Sequence, residues 1–185
     1  MINEIITEKI KGVEIKFKTK AGVFSKSGID DGTRLLINNM EIKDGTLIAD
    51  LGAGTGIVGF AAAKLNFNGH VHLLDSDIRA VELATENSDL NKFKNVEVFL
   101  SDLFSTVSER TYNQIFSNPP QQMGNKFLEE LISECFKHLK PKGELLLVVK
   151  KNVKPFMERT IKNKFGNCDV LAQGREHVVL KAILP

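Results

Sequence analysis

The sequence has few of the features that mark secreted or metal-binding proteins. Of its 185 residues only two are cysteines, Cys135 and Cys168, which form neither a CxxC pair nor a cluster with histidine. This excludes a disulfide framework and a zinc site of the usual spacing, and it is typical of a reducing compartment. We expect both cysteines to be buried as small apolar side chains.

Long apolar runs are also missing. No segment approaches the ~20 consecutive apolar residues of a membrane span, and MINEIITEKI, at the start of the chain, has no basic leader followed by an apolar block. The four histidines (70, 72, 138 and 177) lack the spacing of metal ligands. The sequence therefore predicts a cytoplasmic protein with no role for a membrane or a metal ion.

The net charge of +2 conceals an uneven distribution of charge along the chain. Residues 1–26 hold six Lys against three Glu, and residues 137–164 hold nine Lys or Arg against two Glu, whereas residues 27–136 hold eight basic and sixteen acidic residues. The basic segments 9–26 and 137–164 would attract RNA if folding brought them to one face. The alternative is that their lysines are ordinary solvated residues.

The pattern of apolar residues predicts alternating strands and helices. Residues 4–24 form two predicted strands around Lys11-Gly12, and a short helix follows over 33–40. Five apolar strands then alternate with helices, the clearest helix covering 126–139. The strands are TLIADL, HVHLLD, NVEVFLS, NQIFS and GELLLVVK. The chain closes with CDVLAQ and HVVLKAIL around Gly174-Arg175, which predicts a second hairpin.

This alternation predicts an α/β fold with helices on both faces of a mostly parallel sheet. We expect a Rossmann-like sheet of seven strands that ends in an antiparallel C-terminal hairpin and is preceded by a small N-terminal β-hairpin. A single domain would cover residues 1–185, with residues 1–26 as an N-terminal β extension. Ligands of such sheets bind at the carboxyl ends of the strands, so each residue that follows a strand is a candidate site residue.

The first of these strand ends carries the glycine-rich segment IADLGAGTGIVGF. Asp50 lies at the strand end, and Gly52, Gly54 and Gly56 follow before the next helix. Glycine allows the backbone to approach a ligand closely, and the N-terminus of the helix points its free N–H groups at that ligand. The pattern alone is ambiguous, because Gly54, Gly56 and Gly59 also satisfy the GxGxxG of nicotinamide-dependent enzymes.

Acidic residues follow the next two strands. Asp75 occupies the position at which nicotinamide-dependent enzymes and other nucleotide-binding proteins of this fold hold ribose hydroxyls. Its neighbour Asp77 suits the N-cap of the following helix. Asp102 follows the third strand, where turn formation is its alternative role.

The fourth strand end carries Ser117-Asn118-Pro119-Pro120. Consecutive prolines fix φ and remove two N–H donors, and the Asn118 side chain offers an amide oxygen that accepts hydrogen bonds but is not a strong base. We interpret the segment as a device that holds a nitrogen by its hydrogens. A nicotinamide-dependent enzyme has no use for it, and 185 residues leave little room for the second substrate-binding region that such an enzyme needs.

In this order and spacing, DLGAGTG, Asp75, Asp102 and NPP resemble the motifs of class I S-adenosylmethionine-dependent methyltransferases that methylate amino groups. The upstream VFSKSGIDDGTRLL is similar to a segment of the small-domain methyltransferase family, whose members act on the exocyclic amino group of guanine in ribosomal RNA. The resemblance spans roughly residues 13–183.

The resemblance implies a role for each residue on the cofactor side. The loop Gly52–Gly56 would wrap the methionine part of S-adenosylmethionine, and Asp50 would orient that loop or contact the methionine amino group. Asp75 would bind the ribose hydroxyls, and Asp102 would bind the adenine amino group.

On the substrate side, the resemblance implies that Asn118 and the carbonyl of Pro119 hold the target nitrogen, with Pro120 and Gln121 as substrate-binding residues. Family members usually have an aromatic or similar residue in the position of Gln121.

An aromatic residue at this position would pack on the target base, and such stacking contributes about 1–3 kcal/mol per base. Either Phe24 or Phe127 replaces that aromatic surface, or Gln121 binds a base edge by hydrogen bonds. The missing aromatic also leaves room for a target that is not a flipped base.

The sequence thus predicts methyl transfer from S-adenosylmethionine to an exocyclic amino nitrogen of a nucleobase, with guanine N2 in ribosomal or transfer RNA as the favoured target. One alternative is methylation of the side-chain amide of a protein glutamine, since enzymes of that kind also carry NPP, normally followed by tyrosine. Two further alternatives are a nicotinamide-dependent oxidoreductase and a non-catalytic module that keeps the cofactor pocket as a scaffold.

Overall fold

This computed structural model describes residues 5–19 and 28–185. These residues contain nine β-strands and five α-helices. The strands are β1 (Ile5–Ile10), β2 (Val13–Lys18), β3 (Leu47–Leu51), β4 (His70–Asp75), β5 (Val96–Leu100), β6 (Tyr112–Ser117), β7 (Leu139–Lys150), β8 (Asp169–Gln173) and β9 (His177–Ile183). The helices are α1 (Asp31–Asn39), α2 (Ile57–Leu65), α3 (Ile78–Asn91), α4 (Asn125–His138) and α5 (Lys154–Phe165).

Every predicted element is present, with small differences at the ends. Strand β7 begins at Leu139, four residues before the predicted start, because Leu139 pairs with Tyr112 ahead of a shift in register. Residue 4 and residues 20–24 of the predicted hairpin, among them Phe24, lie outside the described residues.

Seven of the strands form one sheet in the order β5-β4-β3-β6-β7-β9-β8. Strands β3 to β7 pair in parallel, and β9 runs antiparallel to both β7 and β8. The chain progresses outward to β5 on one side of β3 and to β6 and β7 on the other, so the switch point lies between β3 and β6. The predicted seven-stranded Rossmann-like sheet with an antiparallel C-terminal hairpin is confirmed, as is the separate N-terminal hairpin of β1 and β2.

The two faces of the sheet bury separate apolar cores. Successive strand residues point to opposite faces, so Ile48 packs in the core that α1 and α2 cover, and Ala49 packs in the core that α4 and α5 cover. The run from Leu145 to Val149 in β7 is buried throughout, as expected of a strand covered on both faces. Both cysteines are buried, as predicted. Within the described ranges, no helix has the length and hydropathy to cross a bilayer.

Two asparagines of α3 fasten the N-terminal hairpin to the domain. The carboxamide of Asn91 accepts from the Lys16 N–H (3.0 Å) and donates to the Lys16 carbonyl. Asn87, one helical turn earlier, makes the same pair of bonds with Lys18, at 2.7 and 3.2 Å, and also donates to the carbonyl of Thr55 in the glycine-rich loop (3.1 Å). The two carboxamides bond to the backbone of β2 as a neighbouring strand would. At Lys16 and Lys18 this edge of β2 therefore does not expose unpaired backbone groups.

Substitution Asn87→Ala tests this attachment. Asn87 is fully buried, and its removal leaves the Lys18 and Thr55 backbone groups without partners, so we expect the free energy of unfolding to fall by about 1–3 kcal/mol. Urea unfolding measures the change, with the exposed Asn163→Ala as a control that shifts it by less than about 0.5 kcal/mol. Equal effects of the two substitutions would contradict this role.

Candidate active site

A cleft of about 300 Å³ lies at the carboxyl ends of β3, β4, β5 and β6. Seven of the ten residues that the sequence predicts for the site line this cleft. These are Asp50, Gly52, Gly54, Asp75, Asp102, Asn118 and Pro120. The strand ends therefore bring together residues that are up to 70 positions apart in the chain. The described residues contain no cluster of His, Cys, Asp and Glu that could hold a metal ion.

The glycine-rich loop crosses the end of β3 and borders the cleft with its backbone. The N–H groups of Gly52 and Ala53 both donate to the Leu74 carbonyl, at 2.8 and 3.1 Å. Gly52 has φ +76°, and a Cβ built there would meet no atom within 4 Å, so only its backbone conformation requires glycine. Gly56, also predicted as a cofactor-binding residue, does not line the cleft. It has φ +88°, and a Cβ there would come within 2.5 Å of the Phe60 ring.

Helix α2 begins at the cleft without a side-chain cap. The N–H of Gly59 donates to Asp50 Oδ2 at 2.8 Å. Ile57 and Val58, the first two residues of the helix, line the cleft, and N–H groups at such positions have no partner within their own helix. This end of the helix is suited to an anionic group such as a carboxylate.

Asp50 is a buried carboxylate with a strongly altered acidity. Only 1% of the residue is exposed. Burial is the main cause that raises the pKa of Asp50 to about 7; the hydrogen bond from Gly59 opposes the rise and the nearby charge of Asp75 adds to it. The carboxyl thus both holds the start of α2 and can offer a negative charge to a cationic ligand.

Asp75 is oriented by two backbone N–H groups. Its Oδ2 accepts from Gly54 at 2.8 Å and its Oδ1 accepts from Asp77 at 2.9 Å. Each carboxylate oxygen has a second lone pair, so Asp75 can also accept hydrogen bonds from a pair of ligand hydroxyls. Asp77 caps α3 by accepting from the Arg79 N–H at 2.9 Å, which confirms its predicted role.

Asp102 is exposed at the rim of the cleft in a turn that Ser101 holds in place. The Ser101 hydroxyl donates to the Leu103 carbonyl (2.9 Å) and accepts from the Thr106 N–H (3.1 Å). Among the described residues no hydrogen bond or ion pair engages the Asp102 carboxylate, which therefore remains available to a ligand.

Asn118 lies opposite the glycine-rich loop. The Ser117 hydroxyl donates to the Leu51 carbonyl at 2.6 Å and so joins the end of β6 to the end of β3. The side-chain Nδ2 of Asn118 donates to Thr33 Oγ1 at 3.0 Å. The amide oxygen of Asn118 is thereby left as the acceptor that the side chain can present to a ligand in the cleft. Thr33, which also lines the cleft, is a site residue that the sequence prediction did not include.

The other predicted substrate residues are placed differently. Pro119 is buried and does not line the cleft, so its carbonyl as a second acceptor stays a prediction. The Gln121 side-chain oxygen accepts from the Lys150 N–H at 2.8 Å and anchors a short turn to the end of β7. Instead, Met123 and Phe127 line the cleft, and 59% of Met123 is exposed. No periodic pattern could have indicated Met123, because its position depends on that turn.

The acidity of Asp50 predicts a pH-dependent stability. In the folded protein its pKa is about 7 against an ordinary value of 3.8, so the folded state keeps this proton after the unfolded chain has lost it. The stability contributed by the protonated carboxyl is therefore complete below pH ~4 and is lost as the pH rises towards 7. We expect Asp50→Asn, which retains an acceptor for Gly59, to become progressively more stable than the unsubstituted protein between pH 5 and pH 7.5.

Urea unfolding of both ligand-free proteins at several pH values measures this difference. The exposed Asp169→Asn serves as the control, with a difference that stays within about 0.5 kcal/mol. A constant difference for Asp50→Asn across this range would show that the carboxyl does not titrate there.

Comparisons with known proteins identify the family of this chain. The sequence profile of the family described as Methyltransferase small domain matches residues 14–181. The Bacillus subtilis (strain 168) protein YbxB is 34% identical over 179 residues, which cover 94% of this chain and 88% of YbxB.

Solved structures share the fold. One is a T. Thermophilus 16S rRNA N2 methyltransferase (RsmC), solved in complex with AdoMet and guanosine. The comparison has a TM-score of 0.87 and 24% sequence identity, and it covers 98% of this chain but only 50% of the RsmC chain. A ribosomal protein L11 methylase from Lactobacillus delbrueckii subsp. bulgaricus has a TM-score of 0.69 and 22% identity over 83% of this chain and 78% of its own. The chain belongs to the methyltransferase small domain family and thus, as the sequence predicts, to the S-adenosylmethionine-dependent methyltransferases.

Proposed function

We propose that this protein transfers a methyl group from S-adenosylmethionine to an exocyclic amino nitrogen of a nucleobase in RNA, with guanine N2 as the preferred target. The observation that carries the proposal is the Asn118 carboxamide, which keeps its oxygen as an acceptor beside a cleft whose residues suit the cofactor. The fold that the chain shares with RsmC supports the same target. The proposal includes action in the cytoplasm, where ribosomal and transfer RNA are found.

The residues of the cleft fit S-adenosylmethionine. The open space beside Gly52 and the uncapped N-terminus of α2 suit the methionine part and its carboxylate. Asp50 offers a negative charge for the methionine amino group. Asp75 has free lone pairs for the ribose hydroxyls, and the available carboxylate of Asp102 suits the adenine amino group.

The chain's own contribution to the chemistry is to bind and orient the target. When bound, S-adenosylmethionine supplies a methyl group on a positively charged sulfur. The Asn118 oxygen holds the target amino group by a hydrogen bond and stabilises the positive charge that develops on its nitrogen. Correct orientation of reacting groups supplies on the order of 7–11 kcal/mol of a barrier.

The wall of the cleft next to Asn118 offers an apolar surface for a base. Pro120, Met123 and Phe127 line this part, and Met123 is largely exposed. A thioether and an aromatic ring are polarisable groups that pack well on a flat ring. We therefore assign to Met123 and Phe127 the packing role that the resemblance places directly after NPP, and we assign to Gln121 the anchoring of the turn that carries Met123.

Part of the second basic segment lies at the same edge of the sheet as the cleft. Lys150 pairs with His177, so the carboxyl end of β7 adjoins the turn between β8 and β9 that contains Arg175. Lys150, Lys151 and Arg175, here called the rim cations, are exposed, and no described acidic residue pairs with them. Unpaired cations beside the site are suited to the phosphates of an RNA strand.

Substitution Asn118→Ala tests the proposed acceptor. We expect kcat for methyl transfer to fall at least about 100-fold, because the amino group loses the partner that holds it and stabilises its charge. The Kd of S-adenosylmethionine, measured by calorimetry, should stay within about twofold, and the exposed Asn163→Ala should leave both quantities unchanged. Loss of cofactor binding together with activity, or of neither, would contradict this role of Asn118.

The class of substrate is tested with labelled S-adenosylmethionine and a cell extract. If RNA is the substrate, treatment with RNase removes the labelled product and treatment with protease does not. The reverse result would favour methylation of a protein glutamine, whose amide NH₂ can donate to the same Asn118 oxygen.

Neutralising two of the rim cations tests the RNA surface. We expect the double substitution Lys150→Ala and Lys151→Ala to weaken RNA binding. The slope of the logarithm of the RNA association constant against the logarithm of the salt concentration should become shallower by about 1 for each phosphate that the protein no longer neutralises. The control is Lys162→Ala combined with Lys164→Ala, at the end of α5. This end lies at the opposite edge of the sheet, since Asn167 bonds to Ile183 there. Equal reductions in the two double variants would show that the rim cations have no special role.

A further inference from the structure

The direction of the Asn118 carboxamide follows from a chain of three side chains. Asp30 is the N-cap of α1 and accepts from the Thr33 N–H at 3.0 Å through Oδ1. Its other oxygen, Oδ2, accepts from the Thr33 hydroxyl at 2.6 Å. Thr33 Oγ1 in turn accepts from Asn118 Nδ2 at 3.0 Å. Thr33 is 1% exposed, so water does not compete for this hydroxyl.

The donors and acceptors in this chain favour one arrangement. A carboxylate can only accept, and a hydroxyl has a single proton to donate. Because the Thr33 proton is committed to Asp30 in a short bond to a charged group, the lone pairs of Thr33 face Asn118. A flipped Asn118 would place its amide oxygen against Thr33 Oγ1 with no proton between the two oxygens. The negative charge of Asp30 thus keeps the NH₂ group of Asn118 on Thr33 and its oxygen towards the cleft.

We propose that Thr33 is a positioning residue that makes the site selective for amino groups, with Asp30 setting the direction of its hydroxyl. This inference rests on the proposed function for its substrate, but the hydrogen-bond chain itself stands on the contacts of α1 with Asn118. With the oxygen in the cleft, Asn118 accepts from an exocyclic NH₂ group. With the carboxamide reversed, it would present N–H donors to the amino group and repel it. Thr33 therefore decides the polarity of the substrate-binding contact through Asn118.

The segment around Thr33 supports this geometry. Gly32 lies between the two residues, and a Cβ there would come within 2.9 Å of the His177 ring and 3.1 Å of Asp30 Oδ1. Glycine therefore lets the first turn of α1 pack against β9 while Asp30 bonds to Thr33 and Thr33 bonds to Asn118. These contacts explain the presence of Asp30, Gly32 and Thr33 in the stretch IDDGT.

The test compares Thr33→Val, which removes the hydroxyl at nearly constant volume, with Thr33→Ser, which retains it. Both keep the backbone N–H that Asp30 caps, so α1 and the fold should persist. We expect Thr33→Val to lower kcat about 10- to 100-fold, the ratio that corresponds to the loss of the one buried hydrogen bond that holds Asn118. Thr33→Ser should recover most of this loss, and the Kd of S-adenosylmethionine should be unchanged in both.

A binding measurement separates positioning from a structural effect. Guanosine carries the exocyclic amino group and inosine lacks it, so the unsubstituted protein and Thr33→Ser should bind guanosine several-fold more tightly than inosine. In Thr33→Val the two Kd values should become similar. If Thr33→Val keeps both the preference for guanosine and its kcat, the positioning role is overturned.

An NMR measurement tests the hydrogen-bond chain without any substrate. The side-chain NH₂ signal of Asn118, assigned by its absence in Asn118→Ala, should exchange slowly with solvent in the unsubstituted protein and in Thr33→Ser. It should exchange at least about tenfold faster in Thr33→Val, because its hydrogen-bond acceptor has been removed. If the exchange rate of this signal is unchanged in Thr33→Val, the inference is overturned. If the unsubstituted protein shows the slow exchange but methylates no RNA, the hydrogen-bond chain stands and the proposed function is overturned.

Discussion

The parallel pairing of β3 with both β4 and β6 is the constraint on which the site depends. Parallel strands end at the same edge of a sheet, so the segments that follow β3, β4, β5 and β6 meet there although they lie far apart in the sequence. The chain turns in opposite directions from β3, which opens the cleft between these segments. The proposed cofactor and substrate sides of the cleft are thus products of one topological feature.

The two sides of that cleft depend on different kinds of contact, one on the backbone and the other on side chains. The proposed cofactor side relies mainly on backbone: the loop from Gly52 to Gly54 leaves open space, and the N-terminus of α2 offers N–H groups. Asp75 fixes the loop by accepting from Gly54, and Asp50 holds the start of α2 by accepting from Gly59. On the proposed substrate side, the polar contact depends on the Asn118 carboxamide, whose NH₂ group is held by Thr33. In our proposal, the Asp30 cap at the start of α1 thus influences which end of the Asn118 amide the substrate meets.

Much of this could be predicted from the sequence because it follows from local patterns. Apolar periodicity indicated the strands and helices, and the residues after each strand identified Asp50, Asp75, Asp102 and Asn118 as neighbours. Two features depend instead on tertiary contacts between distant segments. Thr33 meets Asn118 across 85 positions, and the role of Gln121 depends on the backbone of Lys150. The stretch IDDGT was visible as a family resemblance, but its hydrogen bonds could not be read from spacing.

The acceptor role of Asn118 is tested most directly by a crystal structure of the protein with S-adenosylhomocysteine and guanosine. We predict that the guanine amino nitrogen lies within hydrogen-bond distance, about 2.7–3.2 Å, of Asn118 Oδ1, while Nδ2 still donates to Thr33. A base bound with its amino group away from Asn118, or one that meets Nδ2 instead of the oxygen, would contradict this role.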